Sequence, residues 1–135
     1  MQIIETASFT AHPDAVWKVV GDVGAIASWI PAIESVRMDG DTRHATFAGG
    51  GGDAVERIVE HDDAGRSYLY EYLSGPLPLQ EYRSRITVEA QDGGSRISWD
   101  ATFTSGSAAG DEELATAIRG IYRDALDRLR QELGA

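Results

Sequence analysis

The clearest pattern in the chain lies near its end. Leu114, Ile118, Ile121, Tyr122, Ala125, Leu126, Leu129 and Leu133 recur at steps of three and four, one apolar stripe on a helix predicted over residues 111–133. Such a helix is about 34 Å long at 1.5 Å per residue. Acidic Asp111, Glu112 and Glu113 stand at its start, and Arg128 and Arg130 near its end, each complementing the helix dipole. Upstream the period changes to two. Residues 2–11 alternate loosely and are rich in β-branched and small side chains, which predicts a strand. Pro13 then opens a short helix with Asp14 in its first turn; its apolar side is Ala15, Val16, Val19 and Val20, with Trp17 beside them. Gly21 and Gly24 end it, and residues 25–30 read as a second helical turn stopped by Pro31.

Six further strands follow. Residues 35–39 and 42–47 flank Asp39-Gly40-Asp41, a hairpin signal. Residues 53–61 and 66–73 are joined through Asp62-Asp63-Ala64-Gly65, and 79–89 and 95–104 through Asp92-Gly93-Gly94. Between these pairs lie two conspicuous loops, the four glycines 49–52 and Ser74-Gly75-Pro76-Leu77-Pro78. Short strands with tight turns predict an antiparallel meander. One helix cannot cover a flat sheet of seven strands. The sheet is therefore expected to curl around the long helix and to leave a cavity between them. No linker or repeat divides the chain, so residues 1–135 form one domain.

Composition narrows the function. The chain is 42% hydrophobic and 25% charged, with a net charge of -10, which is globular and leaves no basic surface for nucleic acid. It contains no cysteine, so disulfides, thiolate nucleophiles and Cys-held metals are excluded. The start Met1-Gln2-Ile3-Ile4-Glu5 has no signal-peptide pattern and no stretch is apolar enough for a bilayer; a cytoplasmic protein without membrane insertion is expected. His12, His44 and His61 lack metal-ligand spacing, the glycine run lacks the Lys-Ser/Thr of a phosphate loop, and there is no Gly-x-Ser-x-Gly elbow. No metal and no cofactor is implied.

Strand alternation assigns faces. Tyr82, Ser84, Ile86 and Val88 share one face of their strand and Glu81, Arg83, Arg85 and Thr87 the other; the first set must face the core. In residues 53–61, alternation alone leaves both faces open. Tyr68, Tyr70 and Tyr72 form a row read as sheet surface or interface, and Trp17, Trp29 and Trp99 as core or cavity wall. Four consecutive glycines beside the cavity mouth predict a loop mobile enough to admit a ligand.

The order of elements, with Ala11-His12-Pro13-Asp14-Ala15-Val16-Trp17, Trp29-Ile30-Pro31-Ala32-Ile33, Gly40-Asp41-Thr42-Arg43, Val55-Glu56-Arg57-Ile58 and Pro76-Leu77-Pro78-Leu79-Gln80-Glu81-Tyr82, resembles the START and polyketide-cyclase (SRPBCC) superfamily, in its bacterial cyclase/dehydratase-like branch. The resemblance covers the whole chain. It implies an α+β helix-grip fold: a seven-stranded curved antiparallel sheet around a long C-terminal helix, with two short helices after the first strand. It also implies that Glu56 and Arg43 point into the cavity. In plant abscisic-acid receptors of this superfamily, the loops matching residues 49–52 and 74–78 act as gate and latch; their lysine has no counterpart here, since the one lysine is Lys18.

The resemblance implies binding of a small hydrophobic molecule, polyketide-like or lipid-like. Arg43, Glu56, Tyr82, Trp99, Ile58, Ile86, Ile118 and Tyr122 would line the site. If the protein is an enzyme, a lyase or isomerase of cyclase/dehydratase type, then Glu56 would move a proton, tuned by Arg43, while Tyr82 donates to an enolate oxygen. The same pair would merely orient the ligand in a non-catalytic carrier or sensor. A protein-interaction module is a third class, and the chain is expected as a monomer or homodimer.

Overall fold

A computed structural model describes residues 1–133. Strand β1 (Gln2–Phe9) leads into helix α1 (Pro13–Val20), followed by a short 3-10 helix (Val23–Ser28). Six strands come next: β2 (Ile33–Asp39), β3 (Thr42–Phe47), β4 (Asp53–Asp62), β5 (Ser67–Ser74), β6 (Glu81–Gln91) and β7 (Gly94–Thr104), then helix α2 (Ala108–Leu133). The sheet order is β1-β7-β6-β5-β4-β3-β2, every pairing antiparallel. This is the helix-grip fold.

Local chemistry explains the element ends. His12 caps α1, its Nδ1 accepting from the Asp14 backbone N–H at 3.1 Å. The helix α2 begins three residues before the expected Asp111. Ser107 Oγ accepts from the Gly110 N–H at 3.1 Å, satisfying one of the free donors of a first turn. Asp111 instead holds the preceding loop, accepting from Ser105 N at 2.7 Å. Strand β1 stops at Phe9 rather than residue 11. The second helical turn is 3-10 and starts at Val23, with Ala25 kinked out of helical geometry.

The α2 stripe, the inward faces of β1, β6 and β7, and α1 make one core around Trp29, Trp99, Ile97 and Leu129. Trp99 stacks on Tyr122 of α2 at 3.9 Å between ring centres, fixing the helix against the middle of the sheet. Two register shifts interrupt β4: one near Val55/Glu56, where Leu73 of β5 is the extra residue, and one near Ile58/Glu60, where Val59 is. Bulges of this kind bend a sheet and increase its twist, which is what wrapping a helix requires. Among the described residues no helix is long and apolar enough to cross a membrane.

The glycine loop is explained by its geometry. Gly49, Gly50 and Gly52 have φ of 72°, 76° and 90°, values that residues with a Cβ rarely adopt. A Cβ on Gly51 would lie 2.9 Å from that of Phe47. Turn geometry and close approach thus account for all four glycines, and the premise that mobility is needed to explain them does not hold.

Candidate functional site

Arg43 and Glu56 are direct partners in the β3–β4 register, and opposed residues of an antiparallel pair share a face. Their neighbours Ala45 and Ala54 are buried, so that face is inward. Arg43 is 2% exposed. Its Nε donates to Glu56 Oε1 at 2.9 Å, and its Nη1 donates to the Val23 carbonyl at 3.1 Å and the Tyr68 hydroxyl at 3.3 Å. The guanidinium carbon lies 4.9 Å from the Tyr70 ring centre, within cation–π range.

Two polar atoms of this pair have no hydrogen-bond partner among the described residues, Glu56 Oε2 and Arg43 Nη2. Trp29 Nε1 is the one fully buried side-chain nitrogen or oxygen left unpaired there. Glu56 Oε2 and Arg43 Nη2 therefore retain access to open space. That space is a small cavity of about 70 Å³, with both residues in its wall. The rest of the wall is apolar or aromatic, with Ile26, Ile30, Ile33, Phe47, Leu77 and Leu79 joined by Ile118 and Ile121 from α2.

Burial sets the charge state of each group. It pushes the Glu56 carboxyl above the ordinary carboxylate range, and Arg43 offsets only part of that. Burial acts against the charge on Arg43, but Tyr68, Glu56 and Tyr70 outweigh it and hold the guanidinium as a cation. Desolvation raises Tyr68, Tyr82 and Tyr122 as well, so these phenols are neutral.

The phenols form a chain. Trp99 Nε1 donates to Tyr70 Oη at 3.3 Å, Tyr70 pairs with Tyr82 at 3.3 Å, the Tyr82 hydroxyl bonds to that of Tyr122, and Tyr122 pairs with Ser84 Oγ at 2.8 Å. A hydroxyl has one proton to give. Tyr82 spends its bonds on Tyr70 and Tyr122, which leaves Arg43 Nη2 as the free donor beside Glu56.

Of the residues expected at the site, Arg43, Glu56, Tyr82, Trp99, Ile118 and Tyr122 line the cavity. Ile58 and Ile86 do not. Ile58 lines a separate surface depression with Val23 and Met38, because the 3-10 helix, pinned to Arg43 through the Val23 carbonyl, stands between it and the cavity. Ile86 is wholly buried between its register partners Tyr68 and Trp99, in the packed layer under α1. The tyrosine row is also corrected: Tyr68 and Tyr70 are buried, and all three rings line the cavity rather than the sheet surface. The signal was in the next strand. Tyr68 pairs with Ile86 and Tyr70 with Ser84, both on the face that alternation in β6 assigns to the core.

A family model described as polyketide cyclase/dehydrase and lipid transport matches residues 1–134. Among solved structures, the chain is similar to the protein XoxI from Bacillus cereus, at 28% identity and TM-score 0.92, covering 98% of this chain and 94% of that one. It is similar to a protein from Thermobifida fusca at 26% identity and TM-score 0.88, covering 98% and 93%. An aromatase/cyclase from a Streptomyces species shares the fold at 19% identity and TM-score 0.80, covering 98% and 93%. A comparison with curated proteins finds no match.

Proposed function

The chain belongs to the polyketide cyclase/dehydrase and lipid transport family, and from that premise we propose that it binds a small, largely apolar molecule whose one oxygen function meets Arg43 and Glu56. The observation that carries this reading is the pair of unpartnered atoms, Arg43 Nη2 and Glu56 Oε2, on two ion-paired residues in the wall of an apolar and aromatic cavity. An apolar body is favoured by the aromatic and aliphatic walls, at roughly 25 cal/mol per Å² of apolar surface buried. A carbonyl or hydroxyl oxygen accepts from Nη2, and a hydroxyl also donates to Oε2. Without such a partner the two atoms lose the bonds they would make to water.

The same arrangement supports proton transfer. A carboxyl whose proton affinity is raised by burial is a stronger base when ionised and a usable acid when not. Glu56 is placed to take a proton from a carbon next to a ligand carbonyl, and Arg43 Nη2 to stabilise the oxygen that gains charge. The carrier or sensor reading uses the same atoms without turnover. An interaction module is less favoured, since the exposed large apolar residues are only Met1, Ile4 and Leu73 among those described, too few for a docking patch.

Native mass spectrometry of the purified protein, followed by solvent extraction, tests the reading. The expected result is one copy of a small apolar molecule per chain, displaced by excess of a competing apolar probe. A protein that carries nothing and gains no adduct on incubation with apolar molecules contradicts it. A bound molecule recovered chemically unchanged favours the carrier.

A further inference from the structure

The ladder between β5 and β6 ends at Glu71↔Arg83, although both strands run on. Beyond that point β5 stays with β4, through Glu56↔Tyr72 and Val55↔Ser74, while β6 stays with β7, through Tyr82↔Phe103 and Glu81↔Thr104. The two strands diverge, and the backbone of residues 72–74 faces that of 81–82 across a wedge. Leu73, the bulged residue of β5, is 52% exposed at the outer lip of this wedge. Outside lies a groove lined by Leu73, Gln80, Glu81 and Arg83. Tyr72 and Tyr82 belong to the wall of that groove and to the wall of the internal cavity. The partition between solvent and cavity is thus two rings, packed edge to face at 6.4 Å between centres.

These rings differ in how they are held. Tyr82 is buried and tied into the hydroxyl chain. Tyr72 is only partly buried; its hydroxyl accepts from Leu77 N at 3.1 Å and donates to the Leu77 carbonyl at 3.4 Å. No ladder bond to β6 has to break for the Tyr72 ring to turn. We propose that thin apolar molecules pass between solvent and cavity through the side of the sheet, between β5 and β6, with the Tyr72 ring as the door. The route opens beside Glu56, the register partner of Tyr72, so a molecule entering this way reaches the polar pair first. The inference rests on the proposed binding cavity.

A door sets how fast a ligand comes and goes, so opening it raises association as well as dissociation, whereas loss of a wall contact alone raises only dissociation. Stopped-flow fluorescence with N-phenyl-1-naphthylamine, a neutral apolar fluorophore, reads both. Tyr72→Ala is expected to raise both rates roughly tenfold, about what one or two lost hydrogen bonds and the packed ring amount to. Tyr72→Phe, which frees the 74–80 loop but keeps the ring, stays within about twofold of the parent. Leu73→Trp, at an exposed position that folding tolerates, fills the groove from outside and slows both rates, and it keeps the test alive should Tyr72→Ala fail to fold. Equal acceleration in Tyr72→Phe and Tyr72→Ala would assign access to the loop and overturn the side route. So would unchanged rates in both Tyr72→Ala and Leu73→Trp, or a change in dissociation alone. If the parent protein binds no fluorophore, the cavity reading itself fails, and this route with it; if it binds but the rates disobey, only the route fails.

Discussion

Glu56 is the residue on which the chemistry turns, and its environment gives it a testable sign. Burial lifts its carboxyl above the unfolded value of about 4.3, with Arg43 pulling partly back. Between the unfolded and folded values the native state binds more protons than the unfolded one. Its contribution to stability is therefore complete below about pH 4.3 and is lost as pH rises through the folded value. The Glu71 carboxyl, held down by Arg57 and Arg83, and Asp111, held down by Ser105, act with the opposite sign at the acid end. Glu56→Gln isolates the first effect. It keeps an oxygen for Arg43 Nε but does not titrate. Urea midpoints of the parent minus the variant should fall steadily from acid to neutral pH; a constant difference would mean that burial does not raise this carboxyl. Turnover of a substrate, once one is identified, should drop about 10²–10⁴-fold in the same variant if Glu56 moves the proton. Periodicity in the sequence could not orient Glu56, because both faces of β4 mix polar and apolar residues; the family resemblance did, and the register Arg43↔Glu56 supplies the physical reason.

At the scale of elements, α2 was legible because its stripe persists for more than five turns, and only its first turn was missed, where Ser107 rather than an acidic residue makes the cap. The bulges were not legible. Val59 and Leu73 are ordinary strand residues, and nothing in their identity announces that they are extra. The tyrosine row was misread because β5 carries Leu69 and Leu73 on its other face, so hydrophobicity does not choose between them. Two glycines test how far geometry decides. A Cβ on Gly120, exposed in the middle of α2, meets nothing within 4 Å. Gly120→Ala should therefore stabilise the protein by about 0.5–1 kcal/mol, the difference in helix propensity. Gly51→Ala should destabilise it, since the new methyl would crowd Phe47 at 2.9 Å. Thermal midpoints moving in these opposite directions are expected; a gain at Gly51 would show that the loop yields easily and would restore mobility as its purpose.

For the molecule as a whole, the fold followed from a mismatch visible in the sequence: one long amphipathic helix and more sheet than it can cover flat. Curling solves the mismatch, and the aromatic rings of β5, β6 and β7 fill most, though not all, of the space this creates. Which inward residues touch the remaining cavity was not legible in strand alternation. Alternation gives the face of Ile58 and Ile86 but not what lies over them, and here the Val23–Ser28 helix and α1 cover both. Arg43 and Glu56 border the cavity even though Arg43 is bonded to Val23, the first residue of the 3-10 helix. The central claim is that this space receives a ligand. The most direct test is an NMR titration of isotopically labelled protein with N-phenyl-1-naphthylamine. The account predicts one site, with shifts concentrated at the methyl groups of Ile26, Ile30, Ile118 and Ile121 and at the Arg43 side chain, while Ile58 and Ile86 move less. Shifts confined to the surface around Ile4, or no saturable binding at all, would contradict it.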